Sequence, residues 1–295
     1  MTVESYVKNN TSSLVGKTVA ITGSTGGIGK CLCRRLASLG ANMILLDRSR
    51  EKSEALGREL SEKYGVSVSY VTVDHESMES VKTATEELIS ASPDVFICNA
   101  GAYSIPRRIC DSGYDNVFQI NFISPYYMVK RLLPTLEKKN GHVVAVGSIA
   151  HNYSKTDPLD TDFSKRQKSS LVYGNSKRYL MYALLSLFRD KSGASLSVCH
   201  PGITFTNITA HYPKLIFALI KHPMKIIFMK NDTASLSILK GVFDKTEAYS
   251  WYGPKLFDVW GLPSKKSLKT ADRNEIDRIF STSEEIYAKI SENNP

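Results

Sequence analysis

The sequence predicts an α/β fold: a doubly wound parallel sheet between two layers of helices, three layers in all, forming a single domain over residues 1–295. Three observations carry that expectation. Short apolar runs alternate with helical patterns as far as residue 202. The runs are apolar throughout rather than at every second residue, which marks strands buried on both faces. No linker breaks the alternation, and 295 residues with 42% hydrophobic content supply ample core for one body.

Each element has its own signal. KTVAIT (17–22) is a short apolar run ending in glycines, hence a buried strand. KCLCRRLASLG (30–40) has apolar positions at helical spacing and a glycine stop. ANMILLD (41–47) is the second strand, REKSEALGRELSEKYG (50–65) a solvated helix, and VSVSYVTVD (66–74) the third strand. MESVKTATEELISA (78–91) is a helix and DVFICNAG (94–101) the fourth strand. YDNVFQINFISPYYMVKRLLPTLEKKNG (114–141) reads as one long helix, with Pro125 and Pro134 each marking a kink or boundary. GHVVAVGS (141–148) is the fifth strand, a helix opens at YGNSK (173–177), and SLSVCHPG (195–202) is the sixth strand. The aromatic tail WYGPKLFDVWGLPSKKSLK (251–269) carries turn residues and is expected to fold over a pocket or a subunit interface. The stretch from Ala271 onward reads as a solvated helix.

Charge and cysteines exclude several classes. The net charge is +9, but the basic residues are spread along the chain. The densest groups, KHPMK, SKRQK and SKK, have no interleaved aromatics. This is the pattern of a solvated basic surface, not of a nucleic-acid interface, and it would welcome an anionic cofactor or substrate. Cys31, Cys33, Cys98, Cys110 and Cys199 are odd in number, and no histidines stand near them at ligand spacing. They read as reduced thiols of a cytoplasmic protein, with no metal site. The N-terminus, MTVESYVKNNTSS, lacks the apolar core of a signal peptide.

Ligands in such sheets bind beyond the carboxyl ends of the strands. The first strand runs into TGSTGGIGK (22–30) and then a helix. A pyrophosphate needs free N–H groups at a helix N-terminus and no side chains in the way, and Gly23, Gly27 and Gly29 give that clearance. Asp47 closes the second strand, 18 residues beyond Gly29. A carboxylate there can accept hydrogen bonds from an adenosine ribose diol and would repel a 2′-phosphate, which favours NAD(H). Arg48 follows and could bind that same phosphate, so NADP(H) stays open; Asp47 as a plain helix cap is a further alternative. Tyr173 and Lys177 stand one helical turn apart, so both share one helix face, a spacing that is common by chance when met alone.

Together these residues resemble the short-chain dehydrogenase/reductase family. The T-G-x-x-x-G-I-G turn is Thr22 to Gly29, and the N-A-G after the fourth strand is Asn99, Ala100 and Gly101. The helix asparagine is Asn121, the fifth-strand serine Ser148, the Y-x-x-x-K Tyr173 to Lys177, and the P-G after the sixth strand Pro201 and Gly202. The resemblance covers about residues 15 to 245. It implies a Rossmann-type fold with a cofactor half (about 15–150), a catalytic and substrate-lid half (about 151–270) and a C-terminal tail (271–295). Ser148 precedes Tyr173 by 25 residues where most members have about a dozen. The intervening segment resembles the insertion of the retinol-dehydrogenase, WW-domain-oxidoreductase and protochlorophyllide-reductase branch, which usually has a neutral residue where Asp47 stands.

The resemblance also assigns roles. Gly23, Ser24, Thr25, Gly27, Ile28, Gly29, Asp47, Arg48, Asn99, Ala100, Gly101, Pro201 and Gly202 are implied to contact the cofactor, Asp74 its adenine, and Thr206 the carboxamide. Lys177 is implied to hold the nicotinamide ribose, Ser148 the substrate oxygen, and Asn121 a water relaying protons to Lys177. Tyr173 then transfers the proton that accompanies hydride transfer. Because a phenol titrates near 10, this asks for a shift of roughly three units, about 4 kcal/mol, supplied by positive charge nearby.

In this family the segment after Pro201 forms the substrate lid. Here residues 203–235 are rich in Ile, Leu, Phe and Met and studded with lysines. An apolar lid implies a bulky hydrophobic alcohol or ketone, such as a steroid, bile acid or retinoid. Peripheral membrane contact and ordinary helix packing are alternatives. The stretch cannot span a bilayer, because Lys214, Lys221, Pro223 and Lys225 interrupt the roughly 20 residues needed. The expected activity is thus NAD(P)-dependent alcohol dehydrogenation or carbonyl reduction. A cofactor-sensing protein of the same fold and a carbon–carbon double-bond reductase are the alternatives. A homodimer through the helices at about 112–139 and 172–190 is a further implication of the resemblance.

Overall fold

Eight strands join in one sheet in the order β3-β2-β1-β4-β5-β6-β7-β8. The computed structural model describes residues 2–153, 157, 160–161, 163–165, 167–190, 193–204, 228–247 and 249–292. β1 (Thr18–Thr22), β2 (Asn42–Asp47), β3 (Val68–Thr72), β4 (Val95–Cys98), β5 (His142–Val146) and β6 (Ser195–Cys199) are the six strands expected from the sequence, and all run parallel. They are apolar on both faces because each face meets its own core. Val19 and Ile21 of β1, with Met43 and Leu45 of β2, pack under α1 (Val3–Asn10), α2 (Gly27–Ser38), α3 (Arg50–Tyr64) and α8 (Asn231–Phe243). Ala20, Ile44 and Leu46 point the other way, into the core formed with α4 (Met78–Ala91), α6 (Ser124–Lys138), α7 (Ser169–Leu187) and α9 (Arg273–Glu292). Strand order reverses between β1 and β4, so a crevice opens beyond their carboxyl ends.

Four features differ from the sequence reading. The polar N-terminus is helical: Thr2 accepts the Ser5 N–H as an N-cap, and Tyr6 is buried. The long helix at 114–141 is three pieces: α5 (Asn116–Phe118), a π turn (Gln119–Ile123) and α6, with Pro125 in its first turn and Pro134 inside it. The aromatic tail, for which no strand is expected from the sequence, forms two further strands. β7 (Ser250–Leu256) joins β6 at Tyr252, and β8 (Trp260–Ser267) returns antiparallel. Their turn has no glycine: Phe257 (φ 53°) and Asp258 (φ 60°) take the left-handed conformation, and the Val259 N–H donates to Leu256 O at 3.0 Å. The turn lies at the carboxyl edge, with Val259 O beside Gly202.

The fourth difference concerns the C-terminus. The segment read as a solvated helix is α9, which buries Ile276, Ile279, Ile286 and Ile290. Tyr126 of α6 donates to Glu284 at 2.5 Å, and the Tyr127 and Tyr287 rings lie 5.5 Å apart. α9 thus covers part of the two helices that the family resemblance offers for dimer contact. Among the described residues no helix is long and apolar enough to cross a membrane.

Candidate active site

The phosphate end is built where β1 turns into α2. Gly23 takes φ +68°, and a Cβ on Gly29 would lie 2.2 Å from the Gly23 carbonyl oxygen, so only glycine permits this close approach. Gly26 caps α2 with no side-chain bond. Among the described residues the N–H groups that head the helix therefore have no side-chain acceptor, and an anion fits there. β4 is stitched to the same turn. Thr22 Oγ1 accepts the N–H of Asn99 (3.1 Å) and of Ala100 (3.0 Å), and the Asn99 amide donates to the carbonyls of Thr22 (2.9 Å) and Gly23 (3.1 Å). Asn99 and Ala100 thus shape the crevice.

Asp47 closes β2 as expected, but its carboxylate is already engaged. Its carboxylate is 6% exposed and already accepts four hydrogen bonds. The donors are the Ser24 hydroxyl, the Ser53 hydroxyl (3.0 Å), and the Thr25 N–H (3.1 Å) and hydroxyl (2.8 Å). A carboxylate has about four acceptor sites, so a ribose diol would find them filled. Arg48 beside it is exposed and makes no ion pair among the described residues. Asp74 Oδ1 accepts the Glu76 N–H at 3.0 Å, a turn within its own loop. Ile28 is half-buried against the core beneath α2.

The proton end joins three elements. Tyr173 and Lys177 lie in α7, Asn121 in the π turn, and Ser148 just past β5. Lys177 is 2% exposed and its ammonium donates to Val146 O at 2.9 Å; burial pulls its pKa down to about 8. Burial pushes the Tyr173 phenol above its ordinary value, while the neighbouring Ser148 hydroxyl lowers it. Gly101 links the N-A-G to this group: a Cβ there would meet Asn121 Oδ1 at 3.1 Å and Lys177 Nζ at 3.3 Å.

The π turn explains Asn121. Its amide donates to Ala102 O (2.8 Å) and Ser176 Oγ (3.0 Å), and its Oδ1 accepts the Ala102 N–H (2.8 Å). The side chain therefore ties the loop after β4 to α7. The Asn121 backbone carbonyl cannot take the usual partner four residues on, because Pro125 has no N–H to give, which favours the wider π turn here. Ser148 is held by the turn that follows it: its hydroxyl accepts the Ala150 N–H at 3.2 Å, and His151 Nδ1 donates to Ser148 O at 2.6 Å.

Pro201 and Gly202 follow β6 at the same edge, with Gly202 at φ +86°. Thr206 and the central part of the expected lid, 205–227, lie outside the described residues. Two site neighbours escaped the sequence reading. Tyr103 stands edge-on to Tyr173, ring centroids 5.0 Å apart. Asn231, the first residue of α8, lies against the glycine turn: a Cβ on Gly27 would fall 2.4 Å from its Nδ2. Both contacts arise from long-range packing, which no local motif announces.

Known proteins resemble this chain in sequence and fold. Residues 17–158 match the family model described as short chain dehydrogenase. The chain is 32% identical to dehydrogenase/reductase SDR family member 13 of Bos taurus, over 65% of this chain and 52% of that one. It is 28% identical to retinol dehydrogenase 14 of Mus musculus, over 66% of this chain and 64% of that one. The matched stretch thus spans roughly half to two thirds of these curated relatives. Among solved structures, a short-chain dehydrogenase from Sphingobium yanoikuyae in complex with NADPH superposes with a TM-score of 0.61 at 22% identity. It covers 76% of this chain and 83% of that one. At that identity the likeness is one of fold.

Proposed function

The chain belongs to the short-chain dehydrogenase/reductase family, in its retinol-dehydrogenase-like branch, and from that premise we propose that it interconverts a hydrophobic alcohol and its ketone or aldehyde. The observation that supports this reading is the meeting of Asn121, Ser148, Tyr173 and Lys177 with Gly101 at one edge of the glycine-turn crevice. A dinucleotide fits: its pyrophosphate has the head of α2, and its nicotinamide half has Lys177 and the open side of Gly101. A bound nicotinamide would supply or accept the hydride.

The residues of the chain do the rest. Ser148 holds the substrate oxygen, and Tyr173 gives it a proton in reduction or takes one in oxidation. Burial alone sets the phenol too high for this near neutral pH. The positive charge of Lys177 and of an oxidised nicotinamide must bring it down. The bulky apolar substrate follows from the composition of residues 203–235 and from Tyr103 beside Tyr173.

NAD(H) remains the preferred cofactor, on the second of the two reasons read from the sequence. With its acceptor sites filled, Asp47 would act by repelling a 2′-phosphate, not by gripping a ribose diol. The test is absorbance at the nicotinamide band with a panel of hydrophobic alcohols, ketones and aldehydes. Turnover is expected in the native protein and lost in Tyr173→Phe. Tight dinucleotide binding with silence across the panel would favour the cofactor-sensing alternative.

A further inference from the structure

Arg178 is the residue after Lys177, so its side chain leaves α7 about 100° around the helix from the lysine. It is 7% exposed, deeply buried for an arginine. Its guanidinium is forked onto Glu275 in the first turn of α9: Nε donates to Oε1 at 2.8 Å, and Nη2 pairs with Oε2. Nη2 also donates to Thr270 O at 3.1 Å, and Nη1 donates to His151 O at 2.8 Å. His151 sits three residues past Ser148, is 1% exposed, and returns two hydrogen bonds to the serine carbonyl, from its N–H (3.1 Å) and from Nδ1 (2.6 Å). A second tie runs in parallel: Tyr182 Oη meets Thr270 Oγ1 at 3.0 Å, and Thr270 Oγ1 donates to Asn152 Oδ1 at 3.1 Å.

We propose that Arg178, oriented by Glu275, is a positioning residue for Ser148, which makes the first turn of the C-terminal helix part of the proton-handling apparatus. The inference rests on the dehydrogenase reading and extends it to residues outside the family motifs. A short 3₁₀ turn (Ile149–Tyr153) carries the serine carbonyl contacts. Such a turn has little geometry of its own to enforce. Arg178 fixes it from one side with a charged, planar fork, which a lysine could not reproduce. A serine hydroxyl displaced by about 1 Å would cost on the order of a hundredfold in rate. It would also withdraw the hydrogen bond that lowers the Tyr173 phenol.

The test compares Glu275→Gln and Arg178→Lys with Tyr126→Phe. Tyr126→Phe loosens α9 at Glu284 without touching the Arg178 path. Each variant is assayed with the best substrate found in the panel, by calorimetric NAD⁺ and NADP⁺ binding, by thermal unfolding, and by ultraviolet titration of the phenol in the NAD⁺ complex. Glu275→Gln and Arg178→Lys are expected to lower kcat about tenfold or more, leave dinucleotide affinity unchanged, and raise the phenol titration point. Tyr126→Phe is expected to lower the unfolding temperature alone. If Glu275→Gln and Arg178→Lys lose thermal stability while kcat and the phenol titration stay native, Arg178 merely docks α9 and the proposal is overturned. If the native protein binds neither dinucleotide, the dehydrogenase reading itself fails, and the proposal with it.

Discussion

The two ends of the crevice are held together in different ways. At the phosphate end, most contacts run between the ends of neighbouring strands and the loop beside them. Thr22 binds Asn99 and Ala100, and Asp47 binds Ser24, Thr25 and Ser53. At the proton end, Ser148 depends on partners that arrive from the far C-terminus, through Arg178, Thr270 and Glu275. The first end is thus closed by the sheet, and the second by the last helix. The lesson is that a crevice can be shaped for its cofactor mainly around the strand ends, while the positioning of its serine is tied to a distant segment.

The sharpest way to separate the ends is Tyr173→Phe. Turnover is expected to fall by about 10²- to 10⁴-fold, as for loss of a general acid–base group, with dinucleotide affinity intact. Equal losses of both would deny the separation. Gly29→Ala should do the reverse. Its Cβ would meet Gly23 O at 2.2 Å, and overpacking of about 1–3 kcal/mol should open the turn. Calorimetry should then show dinucleotide affinity down by about tenfold to a hundredfold, with the fold retained in circular dichroism.

Acid should strike the proton end harder. Burial pulls His151 to about 4 and His200 to about 3, and His75, bonded to Ser124, to about 4. Unfolded histidines take protons below about 6.5, while these stay neutral. The unfolded chain therefore binds more protons in that window, and stability falls as pH drops from about 6.5 toward 4. The loss is about 1 kcal/mol per histidine between pH 6.5 and 5.5. His151 follows Ser148, and both His151 and His200 pack on Trp251. Hydrogen exchange is therefore expected to show residues 149–153 losing protection before residues 22–29. Asp47→Asn should have the smallest effect: NADP⁺ gains about tenfold on NAD⁺, about 1.4 kcal/mol, with turnover retained. A fall in NAD⁺ affinity alone would restore the ribose-gripping role.

What the sequence made legible follows the same division. The glycine turn and the Tyr–Lys pair each lie within one local stretch and are legible directly, whereas N-A-G, Asn121 and Ser148 are placed only by the family resemblance. Asp47 was found, but its four donors were not, because Ser53 reaches it from α3 and Ser24 from across the turn. The π turn was hidden because Pro125 reads equally as a kink or a start. The Leu256–Val259 turn was hidden because Phe257 and Asp258 occupy positions where glycine or asparagine is the usual signal. For α9 the signal was present: Ile276, Ile279, Ser283, Ile286 and Ile290 form a three–four stripe, masked by the charged residues between them. Arg178 and Glu275, 97 positions apart, meet only in three dimensions.

The most direct test of the whole account is the ultraviolet titration of the native protein against Tyr173→Phe, with and without NAD⁺. The phenol is expected to titrate above 10 in the free protein and to move well below that value when the oxidised dinucleotide binds. A phenol signal that is the same with and without NAD⁺, while calorimetry shows the dinucleotide bound, would contradict it.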